Sequence, residues 1–224
     1  MQSVIFDVDG TLVNSFDRDG DLFCRAVTDV LGDVSFREDW GAYEHATDAG
    51  ILRDIITDAG LGPSGQLVKR VQQRFGALLE EAAGKEPFEE IAGAGDAFTS
   101  LKREAGFTVG VATGGWARAA RTKLRSAGIP AEDVILRSSS DHFARQTIML
   151  ACLTALGEAP ERPVYVGDGQ WDVDACRALN WAFVGIGPRL EGQCPVWLPD
   201  FSGGDILDVI YQALAACHGD WARA

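Results

Sequence analysis

Val4-Ile5-Phe6-Asp7-Val8-Asp9-Gly10-Thr11-Leu12-Val13 is the stretch whose reading decides the fold. Three apolar residues run into two carboxylates one residue apart, followed by Gly-Thr. An apolar run cut off by turn residues reads as a buried central strand. Ligands in open α/β sheets bind beyond the carboxyl ends of the strands, and Asp7 and Asp9 occupy that end. Alternate residues of an extended chain face one way, about 6.5–7 Å apart. Like charges so placed call for a cation or a shared proton between them. The same two acids also fit a plain Asp-Gly turn. The rest of the chain decides between the two.

Working outward, the pattern after Val13 turns helical. Leu22, Phe23, Ala26, Val27, Val30 and Leu31 recur at helical spacing up to Gly32. Further helices are expected over 38–46, 49–59 and 64–84, the last two separated by Gly60-Leu61-Gly62-Pro63. No strand pattern appears between 14 and about 88. From Phe88 onward strands and helices alternate. Helices are expected near 94–105, 117–127 and 145–156, after Asp172 up to Leu179, and over about 205–217, and strands at 107–112, 134–136, 163–166 and 181–186. This alternation implies an α/β fold with a Rossmann-like parallel sheet and right-handed crossovers. The expected division is a core of 1–13 and 88–224 with an all-helical cap of 14–87 inserted after the first strand.

The chain has 224 residues, enough for such a core and a smaller second unit. Acidic residues outnumber basic ones 33 to 20, giving a formal net charge of −13. That excess argues against a nucleic-acid partner and against anionic membrane surfaces. A small anionic substrate then requires a metal or local cations at its site. The five cysteines (Cys24, Cys152, Cys176, Cys194, Cys217) are scattered without a CxxC pair, which reads as free thiols in a reducing compartment. The first apolar run is too short for a signal peptide, and a cytoplasmic location is expected. A monomer and a weak homodimer fit the sequence equally.

Three strands end in polar loops: Asp7-Val8-Asp9-Gly10-Thr11, Thr113-Gly114-Gly115 and Gly167-Asp168-Gly169-Gln170-Trp171-Asp172. In a parallel sheet those ends share one edge, so the loops can converge on one site. On these residues the chain resembles the haloacid dehalogenase superfamily of aspartyl-nucleophile phosphohydrolases. Ile5 to Thr11 match that family's first motif, Val111-Ala112-Thr113-Gly114 its second, and Tyr165 to Asp172 its fourth. The likeness spans the chain, with the inserted segment matching by position and helicity, and it points to the phosphoglycolate phosphatase-like branch. The family's third motif supplies a Lys before the fourth. No Lys follows Lys123 in this chain, and Arg145 is the cation in the matching place. Lys123 is the fallback, although it is expected on the exposed face of its helix with Arg118, Arg121 and Arg125.

The resemblance implies a Mg²⁺-dependent phosphatase acting on a small phosphorylated metabolite. Asp7 would be the nucleophile and Asp9 the general acid and base, with Arg145 completing the catalytic set. Asp7, Asp9 (through its carbonyl), Asp168 and Asp172 would serve the metal, an oxygen-only shell. Asp172 would orient water at the metal or pair with Arg145. Thr113 and the backbone N–H of Gly114 would bind phosphate oxygens. Within the cap, Tyr43 to Arg53 is expected to face the substrate, through His45 and Arg53 above all. Thr47 or Asp48 alternatively serves only to cap the next helix. The three histidines lack metal spacing, and Gly93-Ala94-Gly95 lacks the strand a nucleotide loop needs. Asp9 counts against dehalogenation and phosphonate cleavage, Lys69 and Lys85 notwithstanding. A phosphohexose mutase and a non-catalytic phospho-ligand-binding descendant stay open as alternatives.

Overall fold

In the computed structural model, residues 1–157 and 162–216 are described. The opening apolar run forms β1 (Gln2–Phe6), with Val4, Ile5 and Phe6 fully buried. The chain then makes β2 (Val13–Asn14) and three helices, α1 (Phe16–Leu31), α2 (Asp48–Asp58) and α3 (Gly65–Lys85). It returns through β3 (Glu89–Glu90), which pairs antiparallel with β2. Exit and re-entry are thus strapped together at the base of the helical segment. The remainder alternates: α4 (Ala94–Arg103), β4 (Phe107–Thr113), α5 (Ala117–Ser126), β5 (Ile135–Ser138), α6 (Arg145–Ala155). It continues with β6 (Val164–Gly167), α7 (Gln170–Leu179), β7 (Ala182–Ile186), β8 (Trp197–Leu198) and α8 (Ile206–Ala216).

Six strands form one sheet in the order β5-β4-β1-β6-β7-β8, and every pairing in it is parallel. β1 lies between β4 and β6, where successive connections run to opposite sides. That switch point opens a crevice at the carboxyl ends of β1, β4 and β6. Both faces of the sheet are covered, as an all-parallel sheet requires. Val4 and Phe6 join Val109, Val111, Val164 and Val166 on one face. Ile5 joins Ala112 and Tyr165 on the other, against Ile148 and Met149 of α6 and Val173 of α7.

The apolar side chains of the helical segment are continuous with the first of these clusters. Phe23 of α1, Phe75 of α3 and Trp116 at the start of α5 meet pairwise, with ring centroids 5.8 to 5.9 Å apart. The expected helix over 38–46 is only a 3₁₀ turn, Trp40–Ala42. The Asp39 carboxylate accepts from Gly41 N at 2.8 Å, a local bond that competes with helix propagation. The two-residue strands β2, β3 and β8 are too short to leave a periodic signal. Gly93 sits at φ +77°, and a Cβ there would meet the Phe201 backbone at 2.9 Å. The Gly93-Ala94-Gly95 run therefore seats the start of α4 against a neighbouring segment. The last helix was expected over 205–217; residue 217, with Cys217, lies outside the described residues.

Phe98 on α4 is fully buried and meets Phe6 edge-on at 5.5 Å. Phe98→Ala is expected to cost about 3–5 kcal/mol through lost burial and a cavity. Chemical denaturation reads this directly, and a loss under about 1 kcal/mol would contradict the packing described.

Candidate active site

The carboxyl ends of β1, β4 and β6 bring Asp7, Thr113 and Asp168 to one edge. Asp7 is 3% exposed, and its Oδ1 accepts from Val8 N at 2.8 Å. Its Oδ2 lies 3.3 Å from Arg145 Nη1. The same Nη1 is 2.9 Å from Asp172 Oδ1 and 3.4 Å from Tyr165 Oη. Tyr165 is fixed in turn by donating to Ala112 O at 2.7 Å. Arg145 opens α6, so the helix start aims its guanidinium across the crevice. Asp172, the third residue of α7, is fully buried and accepts from Gly169 N at 3.1 Å.

Burial pushes the Asp7 carboxyl up; Arg145 opposes this, and repulsion from Asp9 adds to it. The same balance of burial against Arg145, with repulsion from Asp7, raises Asp172 to about 7. Asp168 is raised by burial, with Arg189 opposing. Arg145 itself is raised: burial disfavours its charge, but Asp172 and Asp7 outweigh that.

A second ionic group lies beside the first. Lys123 of α5 is completely buried, with Nζ 2.5 Å from Asp9 Oδ1 and 2.6 Å from Asp19 Oδ1. Ser15 Oγ also donates to Asp9 Oδ1, at 2.5 Å. The start of α2 docks on the core: Asp48 N donates to Gly114 O at 2.9 Å, and Asp48 Oδ2 accepts from Trp116 N at 2.8 Å. Thr47 Oγ1 donates to Phe143 O, and Arg145 Nη2 to Ala46 O. Asp7, Asp9, Asp19, Asp48, Thr113, Gly114 and Arg145 line a common cavity.

A model of the haloacid dehalogenase-like hydrolases matches residues 1–180. The chain belongs to that family. This hydrolase is 24% identical over 223 residues to a phosphoglycolate phosphatase from Synechococcus elongatus, covering 96% of this chain and 99% of the relative. Its fold is shared with a hydrolase from Pseudomonas syringae (TM-score 0.73, 17% identity, 95% of this chain and 99% of that one). It is shared also with CbbY from Rhodobacter sphaeroides in complex with phosphate (TM-score 0.69, 19% identity, 91% and 96%). The parallel α/β fold of the hydrolase is thus shared with these neighbours.

The donor set can be tested against a divalent metal. Asp7, Asp168 and Asp172 each offer an oxygen within 4.8 Å of the others. Asp168 Oδ1 is buried without a hydrogen bond. An all-carboxylate cluster with an orphaned buried oxygen fits a hard cation such as Mg²⁺. Gly10, at φ +76°, leaves the space beside this cluster open, since a Cβ there would fall on the Asp168 carboxylate. Arg189 presently pairs with Asp168 Oδ2, its guanidinium 3.6 Å above the Phe16 ring. Asp9 turns its carboxylate toward Lys123 and Ser15, apart from the three clustered acids.

Three sequence expectations need correction. Lys123 is not on an exposed face: it shares the buried side of α5 with Ala119, Ala120 and Leu124. Arg53 lies outside the cavity, because Glu44 at 2.7 Å and Asp54 at 2.9 Å hold its guanidinium. His45 also lies outside it, beside Glu44 and along a separate surface hollow with Phe143. Sequence reasoning missed Asp19 and Arg189. Asp19 carried a usable signal, since it stands one turn before Phe23 on the apolar face of α1. Arg189 carried none, lying in a short 3₁₀ turn (Pro188–Leu190) after β7.

The Asp19 carboxyl is raised to about 6, burial outweighing the pull of Lys123. Between its unfolded value near 4 and its folded value near 6, the native state holds more protons, so stability from this group falls as pH rises. Asp19→Asn removes that dependence. The variant is therefore expected to gain on the wild type in thermal midpoint from pH 4 to 6. A wild type that instead gains on the variant over that window would contradict the burial of Asp19.

Proposed function

We propose that this hydrolase is a divalent-metal-dependent phosphatase that cleaves a small phosphorylated metabolite through an aspartyl-phosphate on Asp7. The observation that carries this reading is the buried Asp7 carboxylate at the end of β1, facing Arg145 and lining one cavity with Asp9, Thr113 and Gly114. The phosphoglycolate phosphatase relative and the family match support the reaction class.

In the first step an Asp7 oxygen attacks phosphorus, and the bond to the leaving oxygen breaks. Asp9 gives that oxygen its proton, because an alkoxide is a poor leaving group at neutral pH. In the second step Asp9 takes a proton from water, water attacks phosphorus, and Asp7 leaves as a carboxylate with inorganic phosphate released. Asp9 must swing from Lys123 and Ser15 toward the substrate to do this. Arg145 would hold phosphate oxygens and neutralise Asp7 and Asp172, with Thr113 and the Gly114 N–H completing the cradle. Asp7, Asp168 and the Asp9 carbonyl would hold Mg²⁺, and Asp172 would act through Arg145. When bound, the metal supplies positive charge that lets two anions approach. We assign 1–13 and 88–224 to the catalytic core and 14–87 to a cap that excludes water from the site.

Hydrolysis of p-nitrophenyl phosphate tests the reading. Activity is expected with Mg²⁺ and loss with EDTA. Asp7→Asn is expected to lower kcat by about a thousandfold or more. Arg145→Lys is expected to keep far more activity than Arg145→Ala, since charge is retained at lower geometric fidelity. Turnover that survives Asp7→Asn in folded protein would overturn the proposal, as would equal loss in the two Arg145 variants.

A further inference from the structure

The cavity has two chemically different ends. Asp7, Thr113, Gly114 and Arg145 form one, and the other is bounded by Asp19, Asp48, Phe23, Trp40 and Ile51. Among the described residues that line it, Arg145 is the one cation, and it is committed to Asp7 and Asp172. Lys123 stands behind the wall, fully buried between Asp9 and Asp19, so it offers nothing to an entering anion. Arg189 is outside the lining, paired with Asp168 and stacked on Phe16. Three carboxylates (Asp9, Asp19, Asp48) thus share one ammonium on the side where the leaving group must lie.

That surplus has direction. Asp19 and Asp48 are each 9% exposed, so what exposure they have is shared with the cavity they line. Each uses one oxygen in the bonds formed among the described residues, Asp19 Oδ1 accepting from Lys123 Nζ and Asp48 Oδ2 from Trp116 N. Burial raises both carboxyls, and repulsion from Asp9 on Asp19 and from Asp19 on Asp48 adds to it, a crowding that a cation seated between them would oppose. Two aromatic rings, Phe23 and Trp40, contribute to the lining at this end. Carboxylates and ring faces together attract an ammonium group and repel an anion.

Resting on the phosphatase reading above, we propose that the leaving alcohol carries an ammonium group that seats between Asp19 and Asp48 against the aromatic wall. The substrate class is a phosphomonoester of a short amino alcohol. A leaving group with a carboxylate or a second phosphate would meet like charge at the Asp19 and Asp48 end, where no cation lines the cavity among the described residues. The hydrolase would therefore differ in substrate from its phosphoglycolate phosphatase relative.

The test compares kcat/KM of the wild-type enzyme, with Mg²⁺, on phosphoethanolamine, glycerol phosphate and phosphoglycolate, with p-nitrophenyl phosphate as a general substrate. Phosphoethanolamine is expected to exceed phosphoglycolate by about a hundredfold or more, the effect of replacing attraction by like-charge contact. Glycerol phosphate is expected in between. Asp48→Asn and, separately, Asp19→Asn are expected to lower the ratio of phosphoethanolamine to phosphoglycolate by about tenfold. Phosphoglycolate turnover equal to or above that of phosphoethanolamine would overturn the proposal. Equal use of glycerol phosphate and phosphoethanolamine would overturn the ammonium site. Failure to hydrolyse even p-nitrophenyl phosphate would instead overturn the phosphatase reading, and the two failures are thus distinct. The wild-type comparison stands even if a variant does not fold.

Discussion

Three carboxylates buried within reach of one another are the constraint from which the architecture of this hydrolase follows. Asp7, Asp168 and Asp172 are at most 3% exposed and can bring oxygens within 4.8 Å. Removing such charges from water costs several kcal/mol per ion unless each finds a counter-charge or hydrogen bonds. Arg145 meets two of them, and Arg189 meets the third. β1 and β6 must be neighbours for the acids to meet, and Tyr165 must hold Arg145 from below. The doubly covered sheet, with strands buried on both faces, supplies the stability against which this crowding is set. A divalent cation relieves the same crowding, which links the fold of the site to the chemistry proposed for it.

The second ionic cluster joins the catalytic edge to the helical segment. Lys123 belongs to α5, Asp9 to the loop after β1 and Asp19 to α1, so one buried ammonium ties three separate pieces of chain. Breaking a buried pair by removing one partner is far more disruptive than removing an exposed pair. The start of α2 adds a backbone bond from Asp48 N to Gly114 O, and just before it Ala46 O accepts from the Arg145 guanidinium. On the proposed reading, opening of the cap would disturb groups that also face the substrate, so cap position and substrate binding would be coupled through shared side chains.

Much of this was legible in the sequence, for identifiable reasons. The apolar run ending in Asp7-Val8-Asp9 forced a buried strand, and two further strand ends rich in polar residues forced a common edge. Arg145 was found because the family resemblance implies a cation before the fourth motif and no Lys follows Lys123, and the structure places it on Asp7 and Asp172. Lys123 was misread because its neighbours Arg118, Arg121 and Arg125 suggested a uniformly solvated helix. Its spacing from Ala119 and Ala120 placed it on the apolar face, and period should have outweighed composition. Arg53 and His45 were chosen for their chemistry within a polar stretch; which way that stretch turns depends on Thr47 and Asp48 docking on distant loops. Helix 38–46 failed because Asp39 and Gly41 form a local turn whose energy pattern reading does not weigh.

The central claim is that Asp7 itself carries the phosphoryl group. Rapid acid quench during turnover of a radiolabelled phosphomonoester, followed by peptide mapping, tests this most directly. The expected result is label on the peptide containing Asp7, released by hydroxylamine as an acyl phosphate would be. Label on another residue, or phosphate release with no protein-bound label under conditions that trap acyl phosphates, would contradict it.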